Sequence, residues 1–398
     1  MEQTYFRRGF GLKQEIAEQL TGAYHSRLVD RIRADGYRLS AGGLTILLAK
    51  EFGFCYGVDR AVEYAYESRR KFPDKRIFLV GEIIHNPHVN GRLEGLGILI
   101  LRPGPDGFDF SEIRPEDVVL MPAFGVTVGD FQRLRDIGCV LVDTTCGSVL
   151  NVWKRVERYA EDGFTAVVHG KHFHEETKAT ASQVSKYPGG KYLVVRDMAE
   201  VEILCRFIER GDNAAEVGST FGHKVSPDFD FARDLTRLGI ANQTTMLAGE
   251  SLAIARRLGE SLARRWGPEH LDAHFRSFDT ICSATQERQD AVVALLREPL
   301  DAMVVIGGYN SSNTNHLAKL CAGTVKRTYH IADASCIDPD GGRIRHKPVD
   351  ATGETVDEGW LGAAVQRIGI TAGASTPNNK IGEAIERILA TRGVTPPA

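Results

Sequence analysis

The sequence contains Val140-Leu141-Val142-Asp143-Thr144-Thr145-Cys146, a short apolar run that ends in a polar turn and a cysteine. An amphipathic stretch of helical period follows, from Val149 to Tyr159. A second apolar run, Phe164-Thr165-Ala166-Val167-Val168, comes next and ends in the polar turn that contains His174. This order predicts a buried strand, a cysteine at a helix start, a helix, a second strand and a polar loop.

The same unit occurs three times along the chain. Cys55, Cys146 and Cys282 each follow an apolar run and precede a helical stretch, and each reaches a second polar turn after about 30 positions. Asp279-Thr280-Ile281-Cys282 repeats most of the motif around Cys146. Alternating strands and helices predict parallel sheets, whose ligands collect at the carboxyl ends of the strands. We therefore predict an α/β fold of three lobes around a pseudo-threefold axis, which brings three thiolates to one point.

The chain organisation predicts four segments. Residues 1–43 are charged, carry apolar residues at helical spacing, and are assigned as an N-terminal extension. The first α/β lobe is predicted over residues 44–138, the second over 139–276 and the third over 277–398.

The composition excludes several classes of protein. The 398 residues are 42% hydrophobic and 25% charged, and the net charge of -3 argues against a nucleic-acid partner. No run approaches the roughly 18 to 20 apolar residues of a membrane span. The first residues lack an apolar signal core, so we expect a cytoplasmic protein. Seven cysteines without short regular spacing are then typical of thiols or metal ligands rather than disulfides.

The three repeated cysteines favour an iron–sulfur cluster. A helix N-terminus stabilises a thiolate, and thiolates are the ligands of such clusters. Zinc usually takes two ligands from one short loop, and no C-x-x-C motif occurs. Three ligands on a four-iron cube leave one iron open to substrate. A lone cysteine is more often a buried small hydrophobe, and four cysteines keep that interpretation: Cys139, Cys205, Cys321 and Cys336.

A second set of turns predicts an anion site. Its members are hydrogen-bond donors at predicted strand ends, without a cluster of Lys or Arg: His85, His174, Ser311, Ser312, Asn313 and Ser375. Gly307-Gly308 and Gly373 allow backbone N–H groups to approach oxygen atoms, a combination that suits a diphosphate. Each serine or asparagine taken singly is also explained by turn formation or helix capping. No P-loop is present, which argues against nucleotide hydrolysis.

Several motifs together closely resemble those of the LytB family, the hydroxymethylbutenyl diphosphate reductases of isoprenoid synthesis. The resemblance covers residues from about 45 to 390. It rests on Phe52-Gly53-Phe54-Cys55-Tyr56-Gly57-Val58, Ile84-His85-Asn86, Asp143-Thr144-Thr145-Cys146, His174-Glu175-Glu176-Thr177, Gln243-Thr244-Thr245, Asn310-Ser311-Ser312-Asn313 and Thr371-Ala372-Gly373-Ala374-Ser375. Residues 1–43 look like the extension of the long cyanobacterial and plant-type members.

The resemblance implies a clover-shaped fold of three lobes around a [4Fe-4S] cluster with an open apical iron. It implies reductive loss of the allylic hydroxyl of 4-hydroxy-3-methylbut-2-enyl diphosphate, with ferredoxin or flavodoxin as electron donor. Cys55, Cys146 and Cys282 then look like the cluster ligands, and Glu176 like the proton source positioned with Thr244. The implied diphosphate pocket consists of His85, His174, Ser311, Ser312, Asn313 and Ser375.

Two positions depart from the family pattern, and rival functions remain. Phe124 stands where many shorter members have histidine, and Gly147 stands where proline is usual. Quinolinate synthase is another three-lobed enzyme with three cysteine ligands, but it does not share the turns around Glu176 and Ser312. An iron–sulfur sensor would not need a carboxylate and a diphosphate pocket. The role of residues 1–43 is open between packing on the core and a dimer contact.

Overall fold

The computed structural model describes residues 4–278 and 280–395. The strands are β1 (Tyr5–Phe6), β2 (Arg38–Ala41), β3 (Leu44–Leu48), β4 (Ile77–Val80), β5 (Ile98–Leu101), β6 (Val118–Met121), β7 (Val140–Asp143), β8 (Thr165–His169), β9 (Tyr192–Val195), β10 (Leu238–Asn242), β11 (Phe275–Ser277), β12 (Ala302–Ile306), β13 (Thr328–Ile331), β14 (Ile337–Asp338), β15 (Arg343–His346), β16 (Thr355–Glu358) and β17 (Arg367–Ala372).

The helices are α1 (Lys13–Tyr24), α2 (Arg27–Ala34), α3 (Tyr56–Lys71), α4 (Pro87–Gly95), α5 (Val128–Ile137), α6 (Gly147–Glu161), α7 (Glu175–Ser182), α8 (Met198–Arg210), α9 (Ala214–Phe221), α10 (Phe231–Asp234), α11 (Ala248–Trp266), α12 (Leu271–His274), α13 (Ser283–Leu295), α14 (Ser312–Ala322) and α15 (Asn378–Ala390). Short 3-10 turns cover Gln183–Lys186, Pro268–His270 and Ala334–Cys336. No helix in the described ranges is long and apolar enough to cross a membrane.

The chain divides into two compact units. The first contains the described residues of Met1–Arg8, Lys75–Gly81 and Leu99–Cys282, and the second contains those of Gly9–Asp74, Glu82–Ile98 and Ser283–Ala398. The chain therefore crosses between the units several times.

The first unit contains two sheets. One has the strand order β1-β7-β6-β4-β5 and the other the order β11-β10-β8-β9, in which all neighbours are parallel. The inner strands β4, β6, β7, β8 and β10 are buried along their whole length, as is typical of strands in parallel sheets. Helix α6 packs very closely on β10: a side-chain carbon at Gly239 would lie 2.4 Å from the Tyr159 ring. The Tyr159 hydroxyl donates to the carbonyl oxygen of Ile240 at 2.9 Å.

The second unit contains one main sheet and a small antiparallel one. The main sheet has the order β13-β12-β17-β3-β2, parallel except for the antiparallel pair β2 and β3. The small sheet is β14-β15-β16. Strands β12 and β17 lie side by side, so the turns that follow them share one edge of the sheet.

Strand β3 has a different neighbour from the one that the predicted segments imply. The sequence groups it with residues 44–138, whereas its backbone pairs with β17, in the register Thr45 with Arg367 and Leu48 with Ile370. Apolar character alone does not select a partner, and strands that follow each other in sequence are neighbours in only about two thirds of cases. The predicted segment boundaries otherwise stay a prediction.

The predicted N-terminal extension packs on the core, which was one of the two alternatives for residues 1–43: strand β1 pairs with β7 in the first unit, and residues 9–43 belong to the second. Helix α1 packs against α3 and α15, and α2 packs against α15. Val29, Ile32 and Leu39 belong to the same apolar core as the strands of the main sheet. The chain thus has the α/β class and the parallel sheets that the sequence predicts, while the pseudo-threefold arrangement of lobes stays a prediction.

Candidate active site

Three cysteines lie at helix starts and are half-exposed. Cys55 directly precedes α3, Cys146 directly precedes α6, and Cys282 directly precedes α13. Each follows a strand and starts a helix, as the sequence predicts. Asp279, which belongs to the motif at Cys282, lies outside the described residues. At a helix N-terminus the unpaired backbone N–H groups favour an anion, so these positions suit thiolates.

The other cysteines are in the protein interior. Burial raises the pKa of the Cys139 and Cys205 thiols to about 11 and that of the Cys321 thiol to about 12. These three thiols therefore stay protonated at neutral pH, which makes them poor metal ligands. Cys336 is buried at 3% exposure.

Backbone and side-chain hydrogen bonds shape the turn before Cys146. The Asp143 carboxylate accepts from the Thr145 backbone N–H at 2.9 Å and from the Tyr5 hydroxyl at 2.8 Å. The Thr144 hydroxyl donates to the carbonyl oxygen of Met121 at 2.7 Å. Asp143 and Thr144 therefore fix the backbone on which Cys146 is carried.

The turn before Cys55 is held by residues that are distant in sequence. The Cys55 backbone N–H donates to the carbonyl oxygen of Ala374 at 3.2 Å. Gly53 has a φ of +77°, and a side-chain carbon there would lie 2.8 Å from the Asn378 side chain. The buried Arg288 guanidinium donates to the carbonyl oxygen of Gly53 at 2.8 Å. A glycine is thus required at position 53 for the path of the chain into α3.

A buried acid lies at the start of α7. We call residues 174–177 the acid turn. Glu176 is 3% exposed, and its Oε1 accepts from the Thr244 backbone N–H at 2.5 Å. His174 caps the helix, since its Nδ1 accepts from the Glu176 backbone N–H at 3.2 Å. Glu175 is half-buried instead. The structure therefore brings Glu176 and Thr244 together, although 68 positions separate them in sequence.

Gln243 connects the acid turn to the end of β10. Its Oε1 accepts from the Thr177 hydroxyl at 3.1 Å and from the Lys171 backbone N–H at 3.2 Å. Its Nε2 donates to the Thr245 hydroxyl oxygen at 2.8 Å. Because the Gln243 and Thr177 side chains are buried, these bonds fix the backbone of Thr244 and hence the N–H that holds Glu176.

The turn after β12 presents hydrogen-bond donors. The Ser311 hydroxyl oxygen caps α14 by accepting from the Thr314 backbone N–H at 3.4 Å, and it also accepts from the Thr314 hydroxyl at 3.0 Å. Asn313 is oriented by the Ala374 backbone N–H, which donates to its Oδ1 at 2.9 Å. Ser312 Oγ and Asn313 Nδ2 are buried and have no hydrogen-bond partner among the residues that the structure describes. The start of α14 adds backbone N–H groups, so the turn suits an anionic oxygen-rich ligand.

Two further turns lie against this one. The Ser375 hydroxyl donates to the carbonyl oxygen of His85 at 3.3 Å, and Asn86 Nδ2 donates to that of Ser375 at 2.8 Å. A side-chain carbon at Gly373 would lie 1.9 Å from the Thr314 hydroxyl oxygen, so only glycine fits there. We call residues 82–86, 307–313 and 373–376 the donor turns. The structure thus brings His85, the serines and Asn313 together within the second unit.

The comparisons with known proteins agree with this geometry. A family profile described as LytB protein matches residues 46–389. The chain belongs to the LytB family. A 4-hydroxy-3-methylbut-2-enyl diphosphate reductase from Thermosynechococcus vestitus is 48% identical over 98% of this chain and 96% of its own length. A protein of the same name from Gloeobacter violaceus is 45% identical over 98% of this chain and 93% of its own length.

Solved structures also match. One is described as (E)-4-hydroxy-3-methyl-but-2-enyl diphosphate reductase, the terminal enzyme of the non-mevalonate pathway; it is 27% identical, with a TM-score of 0.52 over 86% of this chain and 98% of its own. The E-1-hydroxy-2-methyl-but-2-enyl-4-diphosphate reductase from Plasmodium falciparum is 19% identical, with a TM-score of 0.63 over 85% of this chain and 86% of its own. The second likeness shows the fold alone.

The structure shows the surroundings of Phe124 and Gly147, the two positions that depart from the LytB pattern. The Phe124 ring packs edge-on against the His174 ring, with centroids 6.2 Å apart. Phenylalanine at this position therefore contacts the cap of the acid turn. Gly147 is the first residue of α6, so the missing proline affects only the helix start, as predicted.

Some of the residues that hold these turns were not predicted from the sequence. Glu82 accepts from His85 Nδ1 and from Asn310 Nδ2, both at 2.9 Å. Arg288 holds the turn at Gly53, as described above. Glu82 lies three positions before His85, a helical or turn spacing that gave a weak local signal. The position of Arg288 gave no signal, since its partner is 235 positions away.

Proposed function

We propose that the chain is a reductase that converts 4-hydroxy-3-methylbut-2-enyl diphosphate to isopentenyl and dimethylallyl diphosphates, the last step of the non-mevalonate pathway. The observation that carries the proposal is the 48% identity to a reductase of that name over nearly the full length of both chains. In the reaction the bond from carbon to the hydroxyl oxygen breaks, and the oxygen leaves as water. Two electrons and two protons enter.

We propose Cys55, Cys146 and Cys282 as ligands of a [4Fe-4S] cluster with an open apical iron. Their half-exposure at helix starts fits this role, while the remaining cysteines are buried. When bound, such a cluster would pass on the electrons of the external donor and would supply a Lewis-acidic iron for the leaving hydroxyl group. Ferredoxin or flavodoxin is the proposed electron donor. The cytoplasm is the proposed compartment, because no disulfide joins any of the cysteines, all of which are described.

Glu176 is proposed to donate the proton that converts the leaving hydroxyl to water. The Thr244 backbone N–H holds Oε1, so a proton on this carboxyl group sits on Oε2. Burial of the group and its attachment to the end of β10 keep it in one orientation, which general acid catalysis requires. Thr244 thus positions the acid through its backbone.

The diphosphate is proposed to bind at His174 and the donor turns. Ser312 Oγ and Asn313 Nδ2 support this placement, because buried polar atoms are normally hydrogen-bonded and these two have no partner in the described ranges. Ser311, Ser375 and His85 add donors to the same set. Holding the diphosphate fixes the allylic carbon and its hydroxyl for reaction.

The test is an anaerobic assay of the protein after reconstitution with iron and sulfide. A chemically reduced viologen supplies electrons, and gas chromatography with mass spectrometry of the dephosphorylated products identifies the two isomers. We expect both products in proportion to the iron content. Protein with a full iron content that leaves the allylic diphosphate unchanged would contradict the proposed function.

A further inference from the structure

The three donor turns are joined to one another by hydrogen bonds. The 82–86 turn bonds to the 373–376 turn, because Asn86 Nδ2 donates to the carbonyl oxygen of Ser375 at 2.8 Å. The 373–376 turn bonds to the 307–313 turn, because the Ala374 backbone N–H donates to Asn313 Oδ1 at 2.9 Å. Two sides of a triangle of turns are thus fixed.

Glu82 forms the third side. Its Oε2 accepts from His85 Nδ1 at 2.9 Å and from Asn310 Nδ2 at 2.9 Å. A single carboxylate oxygen therefore joins the turn that carries His85 to the turn that carries Ser312 and Asn313. The positions of Glu82 and Asn310 differ by 228 in sequence, so the bond is a long-range tie rather than a local turn contact.

The two turns approach each other closely at this side. A side-chain carbon at Gly308 would lie 2.9 Å from the carbonyl oxygen of His85 and 3.0 Å from Asn310 Oδ1. Such distances are shorter than ordinary contacts, so only glycine permits the approach. Glu82 therefore lies where the 82–86 and 307–313 turns are already in contact, and its two hydrogen bonds orient the side chains of His85 and Asn310.

The charge of Glu82 needs an explanation, because a carboxylate near a diphosphate site repels the ligand. Its accepting oxygen is occupied by two donors, and the bond to His85 requires a proton on Nδ1. The His85 ring is then fixed with Nε2 directed away from Glu82.

We propose that Glu82 is a positioning residue for diphosphate binding, which holds His85 and Asn310 at a fixed separation. The inference rests on the proposed function, because it assigns Glu82 to the same diphosphate site. Glu82 would then act through its hydrogen bonds with His85 and Asn310. Asn310 would be the donor that links Glu82 to the 307–313 turn.

The test measures the dissociation constant of inorganic diphosphate by calorimetry on the reconstituted protein. We expect Glu82→Ala to weaken binding about tenfold, and Glu82→Gln, which keeps an acceptor oxygen without the charge, to weaken it less. The Michaelis constant for the allylic diphosphate should rise in parallel, while kcat changes less than threefold. Glu386→Gln is the matched control, since Glu386 is an exposed acid of the same unit on α15.

Asn310→Ala provides the second variant, because it removes one bond of the tie and leaves Glu82 in place. The double variant Glu82→Ala, Asn310→Ala should bind diphosphate no more weakly than Glu82→Ala alone, since both changes break the same tie. Unchanged diphosphate binding in Glu82→Ala and Asn310→Ala, or tighter binding in Glu82→Gln, would overturn the inference. Failure of the wild-type protein to reduce the allylic diphosphate, despite binding inorganic diphosphate, would instead overturn the proposed function.

Discussion

The acid turn and the two donor turns that follow β12 and β17 occupy equivalent places in two different sheets but have opposite hydrogen-bond needs. The acid turn follows the carboxyl end of β8 in the first unit, and the donor turns 307–313 and 373–376 follow the carboxyl ends of β12 and β17 in the second. In the acid turn, the Glu176 carboxylate receives the Thr244 N–H from its own unit. In the donor turns, Ser312 Oγ and Asn313 Nδ2 are buried without a partner in the described part of the chain.

The difference shows how one architecture supports two chemical tasks. An unsatisfied buried polar group costs about 1 to 3 kcal/mol, so a turn with two of them is stabilised by a ligand that accepts hydrogen bonds. A carboxylate that already has a donor does not need such a ligand. This difference supports the proposal that the donor turns bind the ligand and that Glu176 of the acid turn transfers the proton.

The largest expected effect comes from the three cysteines that are proposed as cluster ligands. We predict that Cys55→Ser, Cys146→Ser or Cys282→Ser removes nearly all reductase activity and most of the bound iron, because each change removes a proposed thiolate ligand. Iron and acid-labile sulfide analysis of anaerobically prepared protein measures this. Cys205→Ser, at a buried position, should keep both iron and activity. A full iron content in Cys282→Ser would contradict the assignment.

The second prediction separates the acid turn from its neighbouring carboxylate. Glu176→Gln keeps the shape and the bond from Thr244 but cannot supply a proton, so kcat should fall about 100-fold or more with little change in the Michaelis constant. Glu175→Gln, at a half-buried position one residue away, is the matched control and should be nearly silent. An inactive Glu175→Gln variant together with an active Glu176→Gln variant would assign the role of proton donor to Glu175 instead.

The third prediction concerns the donor turns. Asn313→Ala removes a buried donor that has no described partner, so we expect the Michaelis constant to rise roughly tenfold, equivalent to about 1.4 kcal/mol, with kcat nearly unchanged. Ser312→Ala should behave similarly. Ser311→Ala should also lower thermal stability, because Ser311 caps α14. Wild-type Michaelis constants in both Asn313→Ala and Ser312→Ala would place the diphosphate elsewhere.

The smallest expected effect is at Phe124, which contacts the acid turn through His174. Phe124→Ala removes an edge-to-face ring contact worth about 0.5 to 1.5 kcal/mol, so we expect the Michaelis constant to rise about threefold. Phe124→His restores a ring and adds a donor, and should bind substrate at least as well as the wild type. Steady-state kinetics on both variants checks this, and an unchanged Phe124→Ala would show that the ring contact does not influence His174.

Local patterns in the sequence were sufficient to predict many of the strands and helices that carry the candidate site. The apolar runs and the helical period place strands and helices around Cys55 and Cys146 within a few residues of their observed bounds. An apolar run can be recognised within a few neighbouring residues. It arises because a strand of a parallel sheet is buried on both faces. The roles of the turn residues came from the resemblance to the LytB family.

Long-range pairing was not predictable in the same way. Strand β3 pairs with β17 from the other end of the chain. Glu82 bonds to Asn310, and Arg288 bonds to the backbone of Gly53. Each of these contacts joins segments more than 200 positions apart, and a single sequence contains no periodic signal for such a contact. The supporting residues of the site therefore became visible only in the structure.

The most direct test of the division between the two regions is the substrate dependence of the reductase rate under anaerobic conditions, measured for Glu176→Gln and Asn313→Ala with matched iron content. We predict opposite results: Glu176→Gln loses kcat and keeps its Michaelis constant, whereas Asn313→Ala keeps kcat and raises its Michaelis constant. The same kinetic change in both variants, or an exchange of the two effects, would contradict it.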